Sequence, residues 1–292
     1  MADAAAVHAK IETKSSGLRA ATLDLRLLLH EEVMKLRKKH YSYTEIIARV
    51  DRKHHVKLTK PVISYWVLGK HSPGGGSHLF APKPTPDLAY VIGAETGDAS
   101  LNAKIKNYQY RVRLKAKDRE FVEEFDRAVS AVLNCSPHRL WRTRESEFYV
   151  EIGSYLLYKF LQRPLEELKP FIEHCKKCAA AFVRGFFDSE GSMAESGALT
   201  AYNTNVELLR YVQSLLFRFL EVETTGPRLK LMKGSILTRR GKSYIRNFDC
   251  FVIYVRRRSL ARFYEIVGLT IRRKRLRLER EIGVLGSNVS PD

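Results

Sequence analysis

The chain has 292 residues, 45% of them apolar, and a formal net charge of +19 at pH 7. That is enough for a real core in one large or two to three small domains. No apolar run is long enough to span a membrane, and the N-terminus MADAAAVHAK has no secretory core, which leaves a non-secreted chain of the cytoplasm, or of an organellar matrix in a eukaryote.

Lys and Arg outnumber Asp and Glu in the first eighty residues and again in the remainder, so the charge is not a tail. A polyanion is the expected partner, nucleic acid before membrane. Four cysteines suit a reducing compartment. Cys175 and Cys178 form a lone CxxC with no second pair, which falls short of a structural zinc site and reads as two small residues on a helix.

Residues 1–20 are unpatterned and read as a mobile arm. Leu25, Leu28, Leu29, Val33 and Leu36 then recur at helical spacing between Leu23 and His40. Ser42 or Thr44 caps a short helix through Ile46, Ile47 and Val50, and Thr59 caps another with Pro61 in its first turn. Two short helices, a turn and a helix rich in Ser, Tyr, Trp and Lys resemble a helix-turn-helix DNA-binding unit in residues 1–70, with Ser64, Tyr65 and Lys70 on the reading helix. A plain three-helix bundle is the alternative. Residues 71–86, HSPGGGSHLFAPKPTP, read as a linker.

Beyond the linker the chain reads as duplicated, 87–163 and 164–292. DLAYVIGAETGDAS and CAAAFVRGFFDSEGSM align without a gap, matching Val91 with Val183, Gly93 with Gly185 and Asp98 with Glu190, 92 residues apart. Each is an apolar helix with a central glycine and a terminal acid. Strand pairs and helices follow in each half, giving an α+β fold of order α-β-β-α-β-β-α after a small all-α domain.

Strict alternation puts Arg111, Arg113, Lys115 and Lys117 on one sheet face and Val112, Leu114 and Ala116 on the other. The second half holds a basic stretch at 227–246 with Arg228, Lys230, Lys233, Arg239, Arg240, Lys242 and Arg246. With Lys104, Lys106, Arg142 and Arg144 these form basic sheets laid along double-stranded DNA, phosphate contacts giving affinity and longer side chains reaching bases. If the two glycine helices cross at Gly93 and Gly185, their C-termini bring Asp98 and Glu190 together. Two carboxylates and two negative helix ends repel, and a hard oxygen-loving cation, Mg²⁺ or Mn²⁺, relieves them.

At these residues, VIGAETGDA (91–99) and VRGFFDSEG (183–191) resemble the two motifs of a monomeric LAGLIDADG homing endonuclease. The first is the more divergent, with Glu95, Thr96 and Ala99 off pattern. The resemblance implies a saddle-shaped, metal-dependent enzyme cutting both strands of a long DNA site. It implies Asp98 and Glu190 as metal ligands, with carbonyls of Gly97 and Ser189 beside them. Lys117 and Asn203 then stand at strand ends near the scissile phosphates, and Lys274 in the closing helix is a candidate for transition-state charge. The same resemblance admits a DNA-binding regulator without cleavage, or a maturase-like RNA-binding splicing cofactor.

Overall fold

The computed structural model describes residues 16–18, 21–70, 73, 80–104, 109–239 and 242–287, in two compact units. In the first unit, Thr22 caps α1 (Leu23–Lys38) by accepting the Leu25 N–H, and Ser42 and Glu45 close a capping box on α2 (Tyr43–His54). Thr59 occupies the N-cap of α3 (Lys60–Val67), but its hydroxyl makes no cap bond; Pro61 fills the first turn. Leu29, Val33, Ile46, Val50, Val56, Leu58, Ile63 and Trp66 form this unit's own core.

Two details differ from the sequence reading. Ser16–Gly17, assigned above to a mobile arm, is a strand (β1) paired in parallel with β2 (Val56–Lys57); residues 1–15 and 19–20 lie outside the described residues. Helix α3 stops at Val67, so Lys70 sits in the turn beyond it, its N–H on the Tyr65 carbonyl at 2.9 Å. That six-residue closure satisfies a carbonyl that the ended helix leaves open.

The second unit begins earlier than the expected linker allows. Phe80 is buried with its ring 5.2 Å from that of Phe160, and Thr85 caps α4 (Pro86–Glu95). After α4 come β3 (Ser100–Lys104), β4 (Gln109–Ala116), α5 (Arg119–Leu133), β5 (Trp141–Arg142), β6 (Phe148–Gly153) and α6 (Tyr155–Leu161). Residues 164–175, given no element above, hold α7 (Leu165–Ile172). Then follow α8 (Lys176–Glu190), β7 (Gly191–Met193), β8 (Leu199–Asn203), α9 (Val206–Leu220), β9 (Thr224–Leu231), β10 (Ile236–Arg239), β11 (Lys242–Ile245), β12 (Cys250–Val255), α10 (Leu260–Ile266) and α11 (Arg272–Ser287).

The duplication is visible in the strand order. The first sheet runs β3-β4-β6-β5 and the second β7-β8-β12-β9, both antiparallel. In chain order each is first-second-fourth-third, once the separate hairpin β10–β11 is set aside. Val112, Leu114, Val150 and Ile152 on one sheet, and Leu199, Ala201 and Ile253 on the other, turn inward onto a core shared by both halves.

Helices α4 and α8 pack against each other along the middle of that core. Every residue from Leu88 to Ala94 is buried, which marks a helix enclosed on all sides. A Cβ placed on Gly93 would collide with the Phe182 carbonyl, and one on Gly185 with the Tyr90 carbonyl. Backbone therefore meets backbone at both glycines, with no flexible side chain to move aside.

Gly93→Ala and Gly185→Ala should each destabilise the protein by roughly 2–3 kcal/mol in urea unfolding. Gly153→Ala, where an added methyl meets nothing within 4 Å, should change stability by less than about 1 kcal/mol.

Candidate metal and nucleic-acid site

The glycine seam fixes where the two helices end. Beyond α4, Gly97 faces α8 so closely that a Cβ there would strike the Ser189 side chain and crowd the Glu190 side chain. Ser189 Oγ donates to the Ala94 carbonyl at 3.3 Å, closing the seam from the other side. Asp98 follows Gly97, and Glu190 is the last residue of α8.

Burial raises the Glu190 carboxyl to about 7, and the neighbouring Asp98 charge adds to the rise; Lys274 and a 3.3 Å hydrogen bond from Asn203 Nδ2 oppose it. Asp98 is also raised by loss of solvent around its carboxyl, with Lys274 again opposing. The two acids thus share one small space and repel across it. Hard oxygen donors in that state fit a divalent cation such as Mg²⁺ or Mn²⁺ better than a soft metal. Glu95, one turn back on α4, is likewise lifted to about 7 by burial alone.

Charge of the opposite sign arrives from α11. Lys274 is buried, 4% exposed, and its Nζ donates to the carbonyls of Phe187 at 3.0 Å and Asp188 at 2.7 Å. The Phe187 carbonyl also takes the Gly191 N–H, while the Asp188 carbonyl is among those the end of α8 leaves open, so the ammonium answers the negative end of the helix. Burial lowers Lys274 to about 8, held up in part by Asp188, Asp118 and Asp98. Asp188 is buried beneath: Tyr90 Oη donates to it at 3.0 Å and the Thr270 N–H at 2.9 Å. Of the two acids in FFDSEG, Asp188 ties α4, α8 and the segment leading into α11 together, while Glu190 is half-buried and bonded to Asn203. Motif matching alone did not reveal this network, although one lysine in a helix otherwise studded with arginine was a signal. The other cations of α11 are largely engaged: Arg273 pairs with both oxygens of Asp118, and Arg277 reaches the Met193 carbonyl and Glu195.

Strand register separates the two expected strand-end residues. Gly191 pairs with Ala201, and Ser100 with Arg113. Carried through the 92-residue offset, Asn203 matches Ala116 on the core-facing side. Lys117 lies one residue past β4, exposed, on the other face, with no bond to either acid among the described residues. The second half therefore brings an amide to its carboxylate, and the first half brings a methyl.

The expected basic ladder on β4 is partly neutralised. Arg111 pairs with Glu151, Lys115 pairs with Glu147 at 2.6 Å, and Arg113 lies over the Tyr149 ring at 4.7 Å. Glu151 and Tyr149 lie in β6 and Glu147 is the residue just before it, and the spacing in EFYVEIG, two acids four residues apart in an extended run, was legible as one acidic face. Lys104, Arg142 and Arg144 remain exposed at the margins of the first sheet. On the second sheet Arg228 and Lys230 of β9 are exposed with no ion pair among the described residues; Lys233 beyond it is exposed too, its backbone N–H on Asp249 Oδ1 at 2.7 Å, and Arg246 is half-buried. Arg239 and Lys242 are placed only as strand positions in β10 and β11, and Lys106 and Arg240 lie outside the described residues. Exposed Leu229, Met232, Ile236, Tyr244 and Phe248 share this region with the cations.

Among the described residues no helix is long and apolar enough to cross a membrane. Residues 177–268 match the LAGLIDADG-like domain, which is α8 through the start of the closing helices. An uncharacterized protein of Methanocaldococcus jannaschii, MJ0398, is 32% identical over 251 residues, covering 85% of this chain and 90% of that protein. The fold is similar to the homing endonuclease I-DmoI solved with DNA and Mn, at 20% identity and a TM-score of 0.48, over 64% of this chain and 98% of that one. It is also similar to full-length DUF199/WhiA from Thermotoga maritima, at 13% identity and a TM-score of 0.45, over 73% and 64%.

Because Glu190 and Glu95 bind protons more readily in the folded state than in the unfolded chain, stability without divalent metal should fall as pH rises from the ordinary carboxylate range to about 7. Glu190→Gln removes one of these contributions. In EDTA at pH 7.5 it should stabilise the protein by roughly 1–2 kcal/mol, allowing for the solvent its carboxyl retains, and the gain should vanish near pH 5. Urea unfolding at the two pH values measures it.

Proposed function

The chain belongs to the family of the Methanocaldococcus jannaschii protein MJ0398 and carries a LAGLIDADG-like domain, and from that premise we propose that it is a monomeric, divalent-metal-dependent endonuclease. It hydrolyses both strands of a long double-stranded DNA site, in the manner of a homing endonuclease. The observation that carries this reading is the meeting of Asp98 and Glu190 at the ends of two glycine-packed helices, each acid raised by burial and Glu190 further raised by Asp98.

In this reading Asp98 and Glu190 hold the cation, with the carbonyls of Gly97 and Ser189 beside them. When bound, the cation lowers the proton affinity of a water and stabilises the oxygen leaving phosphorus. Asn203 orients Glu190 through its amide, keeping one carboxylate oxygen fixed and the other free. Lys274 is a positioning residue: it satisfies the carbonyls behind Glu190 and moderates the charge of both acids. Arg228, Lys230 and Lys233 contact phosphates, and the exposed apolar side chains beside them suit the faces and methyl groups of bases. The first unit extends the footprint as a helix-turn-helix module through Ser64 and Tyr65 of α3, with Lys70 at its end.

A second reading, a regulator that binds DNA without cutting it, draws on the asymmetry of the two halves. Ala116 stands where the second half has Asn203, and Glu147 and Glu151 neutralise much of the β4 ladder.

With Mg²⁺ and the cognate DNA, double-strand cleavage should occur, and Mg²⁺ affinity should weaken as pH falls below about 7, because the cation must displace a proton from Glu190. Asp98→Asn and Glu190→Gln should each reduce cutting at least ~10²-fold while changing DNA affinity by less than about 3-fold. Binding without cutting by the unaltered protein would select the regulator. Deleting residues 1–79, which spares Phe80, should shorten the protected DNA footprint; an unchanged footprint returns the first unit to a plain bundle.

A further inference from the structure

At the opposite end of α8 from Glu190, about 22 Å along a 15-residue helix, the sequence HCKKC places three chemically reactive side chains together. Cys175 is the N-cap residue in extended conformation, and its sulfur accepts the backbone N–H of Cys178 at 3.4 Å. The Cys175 and Cys178 sulfurs lie 3.3 Å apart. Their surroundings differ: Cys175 is half-exposed, whereas Cys178 is buried against the core. His174 is exposed, and one of its ring nitrogens and both sulfurs lie within 4.8 Å of one another.

We propose that Cys175 and Cys178 are a reversible dithiol–disulfide site, with Cys175 the attacking sulfur and Cys178 the resolving one.

The chemistry follows from position. A sulfur at a helix N-terminus meets unpaired N–H groups and the positive end of the dipole, which stabilise a thiolate. The His174 hydrogen bond, with the Cys178 N–H behind it, lowers Cys175 to about 7, and burial first and the Cys175 contact second raise Cys178 to about 12. One sulfur is thus ready to attack while the other keeps its proton. The Cys175 thiolate attacks one sulfur of an incoming disulfide, forming a mixed disulfide and expelling the second sulfur as a thiolate, which takes up a proton. Cys178 then gives up its proton and attacks Cys175 Sγ, closing the intrachain bond and releasing the remaining sulfur as a thiol. Two thiols of the protein become one disulfide and the partner disulfide becomes two thiols, a transfer of two electrons and two protons.

The same three side chains raise the question of a metal. Two thiolates on tetrahedral zinc stand about 3.8 Å apart, given the usual zinc–sulfur length, and a structural site takes four ligands. Here the sulfurs are closer, and three donors are present among the described residues. Both facts favour the dithiol.

Oxidised glutathione is the probe, applied to the full chain across a range of oxidised-to-reduced ratios, with intact mass and differential alkylation as readouts. The expected result is loss of about 2 Da through a single Cys175–Cys178 bond, reversed by reduced glutathione. Cys175→Ser, which keeps a capping oxygen, should abolish it with the melting temperature little changed. Cys178→Ala should instead trap a glutathione adduct on Cys175. In the unaltered reduced chain, Cys175 should alkylate at pH 7 at least ~10-fold faster than Cys135. The proposal is overturned if no intrachain bond forms at any ratio or if the bond joins other cysteines. It is overturned equally if one zinc ion per chain protects both thiols from glutathione and alkylation. Each outcome is independent of whether the distant acid pair supports DNA cleavage.

Discussion

Two helices touching backbone to backbone is the constraint from which the second unit is built. Gly93 and Gly185 let α4 and α8 approach until each glycine abuts a carbonyl of the other helix. Such contact is only possible where neither helix presents a side chain, and it determines which residues meet at the ends. Gly97 against Ser189 continues the approach past the last turn of α4, so that the Asp98 charge is felt at Glu190.

An arrangement that concentrates two negative helix ends and two carboxylates needs compensation from elsewhere in the chain. Part comes from α11, whose first turn meets the last turn of α8. Thr270 and Lys274 donate to Asp188 and to the α8 carbonyls, and Arg273 reaches across to Asp118 in the first half. The basic closing helix that the composition presents as a nucleic-acid element is therefore largely a brace between halves. What it leaves only partly compensated is the pair of acids, both raised first by loss of solvent, with the Asp98 charge adding to the rise at Glu190.

The halves share a topology and have diverged in surface. Around β4, Glu151 of β6 and Glu147 just before it meet the cations across the ladder, so an alternating basic strand becomes a mixed-charge face. Along β9 the side chains of Arg228 and Lys230 make no ion pair among the described residues, and cations alternate with exposed apolar residues. Asymmetry of this kind suits a site whose two ends are not identical, as a single duplicated chain permits and a symmetric dimer does not.

Local pattern was enough to reveal the duplication, the glycine helices, most strands and the pairing of Asp98 with Glu190. Those features are periodic or repeat at a fixed offset, and periodicity survives in one dimension. The sequence also showed the capping of α2 and the basic character of both halves, because caps and charge are properties of neighbouring residues. Tertiary structure alone decided which cations are free. It assigned Lys274 to the α8 carbonyls, Arg111 to Glu151 and Lys115 to Glu147, and Ala116 rather than Lys117 to the place equivalent to Asn203. It also separated Asp188 from Glu190, two acids one residue apart with opposite fates. The reason is that ion pairing, burial and strand register depend on distances between residues far apart in the chain, and a residue type carries no record of its partner.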